Sequence, residues 1–179
     1  MTAAEHDDDI ALRAERIYAA RSALAETQRS PRRLGVAEIL HFLTDPQRSL
    51  SMEEQRSLFA DPQLRAAYRR LKSQVSAAEL PALAAASAGD VNARRFDGGT
   101  VHIHPSRVPG QIYVILRFTW PNPPRTMLLE GREGDLVKRA LPPVDANGEV
   151  MMVLDESKPS DAGFLRLISD PTSTGSFLL

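Results

Sequence analysis

Apolar residues recur at intervals of three and four along the first half of the chain, the pattern of helices that bury one face. The clearest stripe follows Leu64 and continues through Tyr68, Leu71, Val75 and Ala78. Proline at position 81 ends that stripe. The pattern predicts four helices, within residues 7–29, 35–44, 51–60 and 61–81.

The start signals of the third and fourth predicted helices are the most explicit local features of the chain. Ser51 precedes Glu54 by three residues, which is the spacing of a capping box. Asp61 and Pro62 place a capping acid before a proline at the first helical position. Residues 50–65 therefore predict a helical hairpin whose side chains carry no catalytic motif.

After residue 91 the pattern changes to short β-branched and aromatic runs separated by Gly, Pro and Asn. Turns are predicted at Pro109-Gly110 and, as a hairpin, at Asn147-Gly148, and a polar loop at residues 157–163. The predicted strands cover residues 100–104, 111–120, 126–130, 136–141, 149–155, 164–168 and 175–179.

These elements predict an α+β fold, in which an N-terminal bundle of about four helices precedes a C-terminal antiparallel β-sandwich or small open barrel. We expect a helical domain over residues 1–88 and a β domain over residues 89–179, joined by a small-residue connector at 80–90. Whether the two halves fold independently stays open at this stage.

Composition narrows the classes of function. The 179 residues carry a net charge of −1, spread evenly over both halves, so no basic region indicates direct nucleic-acid binding. The chain has no cysteine, which excludes disulfides, thiolate metal sites and cysteine nucleophiles. There is no apolar run long enough for a membrane span and no secretory signal, so we expect no membrane partner and a cytoplasmic location. Phosphate-binding glycine motifs are also missing, and no cofactor is predicted.

His102 and His104 are the sharpest chemical feature, because residues two apart on a strand project from the same face and could share a metal ion. The run GGTVHIH resembles the first motif of cupins, but Val108 and Pro109 occupy the positions of the cupin glutamate, and no histidine follows. We favour two solvent-facing histidines, with metal binding as the alternative.

A second resemblance covers residues 35–72. Its short helix, its Leu-Ser-x-Glu-Glu start and its hairpin into a final helix are similar to the sigma-binding domain of bacterial anti-sigma factors. The matching residues are Ile39, Leu40, Phe42, Leu43, Leu50, Ser51, Glu53, Glu54, Leu58, Pro62, Arg65 and Leu71. Zinc-containing members clamp this hairpin with one histidine and two cysteines, but here those positions hold Ser57, Asp61 and Leu64. The resemblance is therefore to the zinc-free branch, in which packing of Leu58 and Leu64 would replace the clamp.

The resemblance implies a non-enzymatic regulatory protein that sequesters a sigma factor through its N-terminal helices. The candidate partner-binding residues are Ile39, Leu40, Phe42, Leu43, Leu58, Phe59, Leu64, Arg65, Tyr68 and Arg69. The strand half would then be a regulatory or partner-binding module.

Two alternatives stay open. The chain could be a β-sandwich module that binds a ligand or metal, or acts as a minor hydrolase, with His102, His104 and an acid at a strand end. It could instead be an adaptor or assembly protein that forms a homo-oligomer, with the stripe from Leu64 to Ala78 as the contact of a homodimer.

Overall fold

The structure is a computed structural model that describes residues 34–83 and 91–179. The helices in these residues are α1 (Val36–Thr44), α2 (Met52–Ala60), α3 (Pro62–Val75) and α4 (Pro159–Ser169). The strands are β1 (Ser76–Leu80), β2 (Ala93–Phe96), β3 (Gly99–Pro105), β4 (Gln111–Phe118), β5 (Thr126–Glu130), β6 (Leu136–Ala140), β7 (Glu149–Asp155) and β8 (Thr174–Leu178). The helix predicted within residues 7–29 and the domain boundary predicted after residue 88 lie outside this part of the chain.

The strands form two antiparallel sheets of four strands each. The helix-facing sheet has the strand order β1-β8-β5-β6, and the outer sheet has the order β2-β3-β4-β7. Strands β3 and β4 are joined by the turn predicted at Pro109-Gly110, where Gly110 adopts a positive φ of 77°. The loops between the other strands cross from one sheet to the other in several places, so neighbours in sequence are often not neighbours in a sheet.

Strand alternation decides which side chains fill the space between the two sheets. Met127 and Leu129 of β5 point toward the outer sheet, whereas Leu128 between them points to the opposite face. Val114 and Leu116 of β4, in the outer sheet, belong to the same core as Met127 and Leu129. These side chains are almost completely buried, and they form the centre of the larger of two apolar cores.

Helices α1, α2 and α3 cover the other face of the helix-facing sheet. Leu128, Leu136 and Leu178 supply the sheet side of this second core. The fully buried helical side chains are Ile39, Phe42, Leu43, Leu58 and Tyr68. The result is three layers, in which the helix-facing sheet lies between the helices and the outer sheet.

The predicted start signals of the hairpin are confirmed. The Ser51 side chain accepts a hydrogen bond of 3.2 Å from the Glu54 backbone N–H, and the Glu54 carboxylate accepts one of 2.7 Å from the Ser51 N–H. Asp61 accepts a hydrogen bond of 2.7 Å from the Gln63 N–H, with Pro62 as the first residue of α3. Both pairs satisfy N–H groups that a helix start leaves without an intrahelical partner.

The predicted fold class is wrong, because the helices do not form an N-terminal bundle that precedes a separate set of strands. Helix α3 ends at Val75, and the residues predicted to continue it form β1, which pairs with β8. Every second side chain of this strand, Ala78 and Leu80, is buried in the core between the sheets. The period of the pattern changes from helix to strand at this point, and long-range pairing with β8 outweighs the local helical preference.

The strand predicted at residues 164–168 is also wrong, since these residues lie in α4. Pro159 is at the first helical position, where its missing N–H has no effect on the helix. Phe164, Leu165, Leu167 and Ile168 are buried, and their spacing is that of one helical face. Helix α4 therefore separates β7 from β8 in the sequence and closes one side of the core between the sheets.

The predicted hairpin at Asn147-Gly148 is a turn that joins two different sheets. The Gly148 N–H donates to the Asp145 carbonyl at 3.1 Å, and Gly148 has a φ of 77°. Strand β6 before it pairs with β5, however, and β7 after it pairs with β4. The local turn signal was correct, but the pairing of the flanking strands is set by tertiary contacts.

Candidate functional site

The structure divides the ten predicted partner-binding residues into two groups. Five are buried in the core between the helices and the helix-facing sheet: Ile39, Phe42, Leu43, Leu58 and Tyr68. The others are accessible to different degrees: Leu40 is 43 % exposed, Phe59, Leu64 and Arg65 are partly buried, and Arg69 is exposed. In this conformation a partner could contact only the second group directly.

A polar network holds the buried face of α3 on the sheet. The Tyr68 hydroxyl donates a hydrogen bond of 3.1 Å to the Glu130 carboxylate at the end of β5, and the Lys72 ammonium donates one of 3.3 Å to the same oxygen. Burial raises the pKa of Tyr68 well above its ordinary value, and the charge of Glu130 adds to the shift. The phenol therefore acts as a neutral donor, and Glu130 fixes the orientation of α3.

The accessible side chains of the helices include an apolar pair on α1 and a basic pair on α3. Val36 and Leu40 lie four residues apart on α1 and are 49 % and 43 % exposed. Arg65 and Arg69 have the same spacing on α3, and no ion pair among residues 34–83 and 91–179 involves either of them. We call Val36, Leu40, Arg65 and Arg69 the outer helical surface. Residues four apart share one face of a helix, so each pair offers two neighbouring contacts to a partner.

His102 and His104 lie on β3 of the outer sheet, on the face that no other layer of the described chain covers. Their imidazole rings are parallel to within 3°, with centroids 6.0 Å apart. Ile115 lies opposite His102 on β4, and Tyr113 lies opposite His104. No group of three or more histidine, aspartate or glutamate side chains in the described chain could hold a metal ion, so this pair has no third protein ligand of these types nearby.

The predicted metal alternative therefore has two of its ligands in place on an open surface. The cupin-like arrangement requires more ligands than this, and the strand after His104 turns away at Ser106 and Arg107. A hydrolytic site would also need an acid beside the histidines, but Asp155 at the end of β7 accepts hydrogen bonds from the Ser157 N–H and hydroxyl instead.

A cleft that the sequence did not predict lies between α4 and one end of the outer sheet. Its volume is about 640 Å³, and its apolar lining includes Val91, Ile103, Ile112 and Leu165. Arg166 lies at its rim and donates a hydrogen bond of 2.6 Å to Asp135. The cleft depends on α4, and it could not be predicted while residues 164–168 were interpreted as a strand.

Arg94 of β2 is a second feature that sequence reasoning missed. Its side chain is 1 % exposed, and it donates hydrogen bonds to the Pro81 carbonyl at 2.8 Å, to the Ser173 carbonyl at 2.6 Å and to the Ser173 hydroxyl at 3.0 Å. Burial lowers the pKa of Arg94, and the charge of Asp170 opposes that shift. The side chain joins β2 to the loops that follow β1 and α4, which is a structural role. No local sequence signal indicates it, because Arg94 and Arg95 are adjacent and only the pairing of β2 with β3 decides which of them is buried.

Comparison of the chain with protein-family models, with curated proteins and with solved structures found no match. Within the described residues, no helix combines the length and the apolar composition needed to cross a membrane.

Proposed function

We propose that the chain is a non-enzymatic regulatory protein that binds another protein through the outer helical surface. The observation that supports this most is the pair of exposed apolar residues on α1, Val36 and Leu40, in the same layer as the arginine pair of α3. Exposed apolar groups often mark protein interfaces, and arginine is enriched in them.

The arginines indicate the chemistry of the partner. Arg65 and Arg69 could each form two parallel hydrogen bonds with a carboxylate, so a partner that offers acidic side chains to α3 and apolar side chains to α1 fits this surface. The resemblance of residues 35–72 to anti-sigma factors leads us to propose a sigma factor as that partner, which places the chain in the cytoplasm. Leu58 and Leu64 both contribute to the core under the helices, in agreement with the apolar clamp of the zinc-free branch.

The buried predicted residues would then support the interface without touching the partner. Tyr68 is held by Glu130, and Phe42 and Leu43 pack below Leu40 on the inner side of α1. A surface placed on such a rigid base loses little conformational entropy when it binds. In this proposal the helix-facing sheet is the scaffold that holds the helices in place.

The experiment is a binding titration between the full chain and an extracytoplasmic-function sigma factor from the same genome. We expect a complex of one chain with one sigma factor, and we expect the double variant Leu40→Asp with Arg69→Glu to bind at least about tenfold more weakly. The matched control is Val108→Asp with Arg107→Glu, because both residues are exposed in the turn between β3 and β4. A complex that is unaffected by the first double variant, or equally weakened by the control, would contradict the proposal.

The cleft beside α4 supports a second candidate function, the binding of a small apolar ligand. Its volume of about 640 Å³ lies in the range of small-molecule sites, and its lining is mainly apolar. The test uses the fluorescent probe anilinonaphthalene sulfonate. We expect Ala162→Trp, which fills the cleft, to reduce the fluorescence several-fold, and Ala140→Trp, at the exposed end of β6, to leave it unchanged. Equal fluorescence of both variants would exclude the cleft as the binding site of the probe.

A further inference from the structure

Two histidines lie side by side on the exposed face of the outer sheet. His102 and His104 are two residues apart on β3, so their Cα atoms are separated by about 6.7 Å and their side chains share one face. His104 is exposed and His102 is partly exposed. Both imidazoles can therefore be reached by a metal ion from solvent.

The distance between the rings suits a shared ion. Zinc binds imidazole nitrogens at 2.0–2.1 Å in a tetrahedral arrangement, which places the centroids of two ligating rings about 5 Å apart. The observed separation is 6.0 Å. Rotation of two accessible side chains supplies the remaining shift of about 1 Å, without movement of the strand.

Residues 34–83 and 91–179 of one chain leave this site incomplete. Two imidazoles fill two of the four positions of a tetrahedral zinc ion, and the described chain has no group of three histidine, aspartate or glutamate side chains that could hold a metal. The neighbours of the pair on the same face are Tyr113 and Ile115 of β4. The other two ligands must come from outside this face.

The same face also has apolar side chains that the described part of the chain does not cover. Met151 and Val153 of β7 lie beside Ile115 and Tyr113 in the sheet, and they are 56 % and 52 % exposed. Together with the histidines they form two cross-strand rows, His102 with Ile115 and Met151, and His104 with Tyr113 and Val153. A second copy of this face, related by a two-fold axis, offers both the missing imidazoles and the apolar complement.

We propose that the outer sheet is a zinc-dependent homodimer interface, in which one zinc ion is bound by His102 and His104 of each of two chains. The apolar rows of the two copies pack against each other around the ion. We name zinc because it binds imidazole and takes four ligands in a tetrahedral arrangement, which two histidine pairs would supply. This inference is independent of the outer helical surface.

Pairing through the edge of β7 is a less suitable route to a dimer. The outward N–H and carbonyl of Glu149 are bound by the Asp145 side chain and N–H, and the Asp155 N–H donates to the Asp161 carboxylate. These contacts occupy both ends of the edge, where a neighbouring strand would have to lie. A second copy can approach the open face without displacing them.

The experiment measures the mass of the full, untagged chain by size-exclusion chromatography with light scattering. Without metal and in EDTA we expect 19.7 kDa, and with zinc we expect twice that mass, with one zinc ion per two chains. Magnesium is the control cation, because it prefers oxygen ligands and should leave the mass unchanged. One zinc ion per chain at 19.7 kDa, or a dimer that persists in EDTA, would overturn the proposal.

Variants assign the effect to this face. We expect His102→Ala and His104→Ala each to abolish the zinc-dependent dimer, and Met151→Ser to weaken it about tenfold. His6→Ala and His41→Ala change the other two histidines of the chain and should leave the dimer intact. Circular dichroism is the check that each variant remains folded. Zinc-dependent dimers of either β3 variant, or their loss in His41→Ala, would contradict the assignment.

Discussion

The ammonium group of Lys138 on β6 lies 4.4 Å from the centroid of the Phe42 ring on α1. It also donates hydrogen bonds to the Phe42 carbonyl and, at 2.6 Å, to the Asp45 carbonyl. These carbonyls are at the end of α1, where a helix has no N–H groups of its own left to bind them. Lys138 of the helix-facing sheet therefore caps the end of α1. It joins two layers through residues that are almost 100 positions apart in the sequence.

This contact makes stability depend on pH in an unusual direction. Burial lowers the pKa of Lys138 from 10.5 to about 8, against the opposing charge of Asp45. Between pH 8 and 10.5 the unfolded chain holds a proton that the folded chain has largely released, so the free energy of unfolding rises with pH. We expect this contribution to reach about 1–2 kcal/mol, because partial exposure reduces the full effect of the shift.

The measurement is urea unfolding at pH 7.5 and 9.5 for the wild type and Lys138→Met, because the titration of all other groups, tyrosines included, is common to both chains. We expect the wild type to gain stability relative to this variant as the pH rises. Lys158→Met, at an exposed lysine before α4, should follow the wild type. A wild-type advantage over Lys138→Met that is equal at both pH values would disprove this role of Lys138.

Two adjacent arginines on β2 provide an internally controlled test of buried hydrogen bonding. Arg94 is buried and binds the Pro81 and Ser173 carbonyls, whereas Arg95 is exposed. We expect Arg94→Met to lower the free energy of unfolding by about 3 kcal/mol or more, because it leaves several buried carbonyl and hydroxyl groups without a donor. Arg95→Met should change it by less than about 0.5 kcal/mol. Similar urea midpoints for the two variants would show that the buried contacts contribute little.

Local signals were sufficient for the elements whose stability is local. The capping box of Ser51 and Glu54 and the proline after Asp61 predicted the starts of α2 and α3, since each uses contacts within three residues. The signals were insufficient for β1 and α4. Ala78 continues the helical stripe of α3 in the sequence, and only pairing with β8, about 100 residues later, makes that segment a strand.

The difference between local signals and long-range contacts also decides which exposed residues could be predicted. That His102 and His104 share a face follows from strand alternation alone, and the structure agrees. Which apolar residues of α1 to α3 are exposed could not be predicted, because that depends on the side from which the helix-facing sheet covers them. Leu40 and Ile39 are neighbours in the sequence, yet one is 43 % exposed and the other is fully buried.

The indole ring of Trp120 lies against the backbone of Gly98 at one end of the outer sheet, and this contact can be tested by mutation. Gly98 has a φ of 101°, and a Cβ added there would lie 2.2 Å from the indole ring of Trp120. Gly110 also has a positive φ, but a Cβ there would meet nothing within 4 Å. Alanine at Gly110 should therefore cost only the backbone penalty of about 1–2 kcal/mol, and alanine at Gly98 should cost more because the indole must also move.

The chain has a single tryptophan, so its fluorescence reports on this position directly. In the wild type Trp120 packs edge to face on Phe96, with ring centroids 6.0 Å apart. We expect Gly98→Ala to shift the emission to longer wavelength, as the indole becomes more accessible to water, and Gly110→Ala to leave the spectrum unchanged. If Gly98→Ala keeps the wild-type spectrum and loses no more stability than Gly110→Ala, then the indole does not occupy the space above Gly98 in solution.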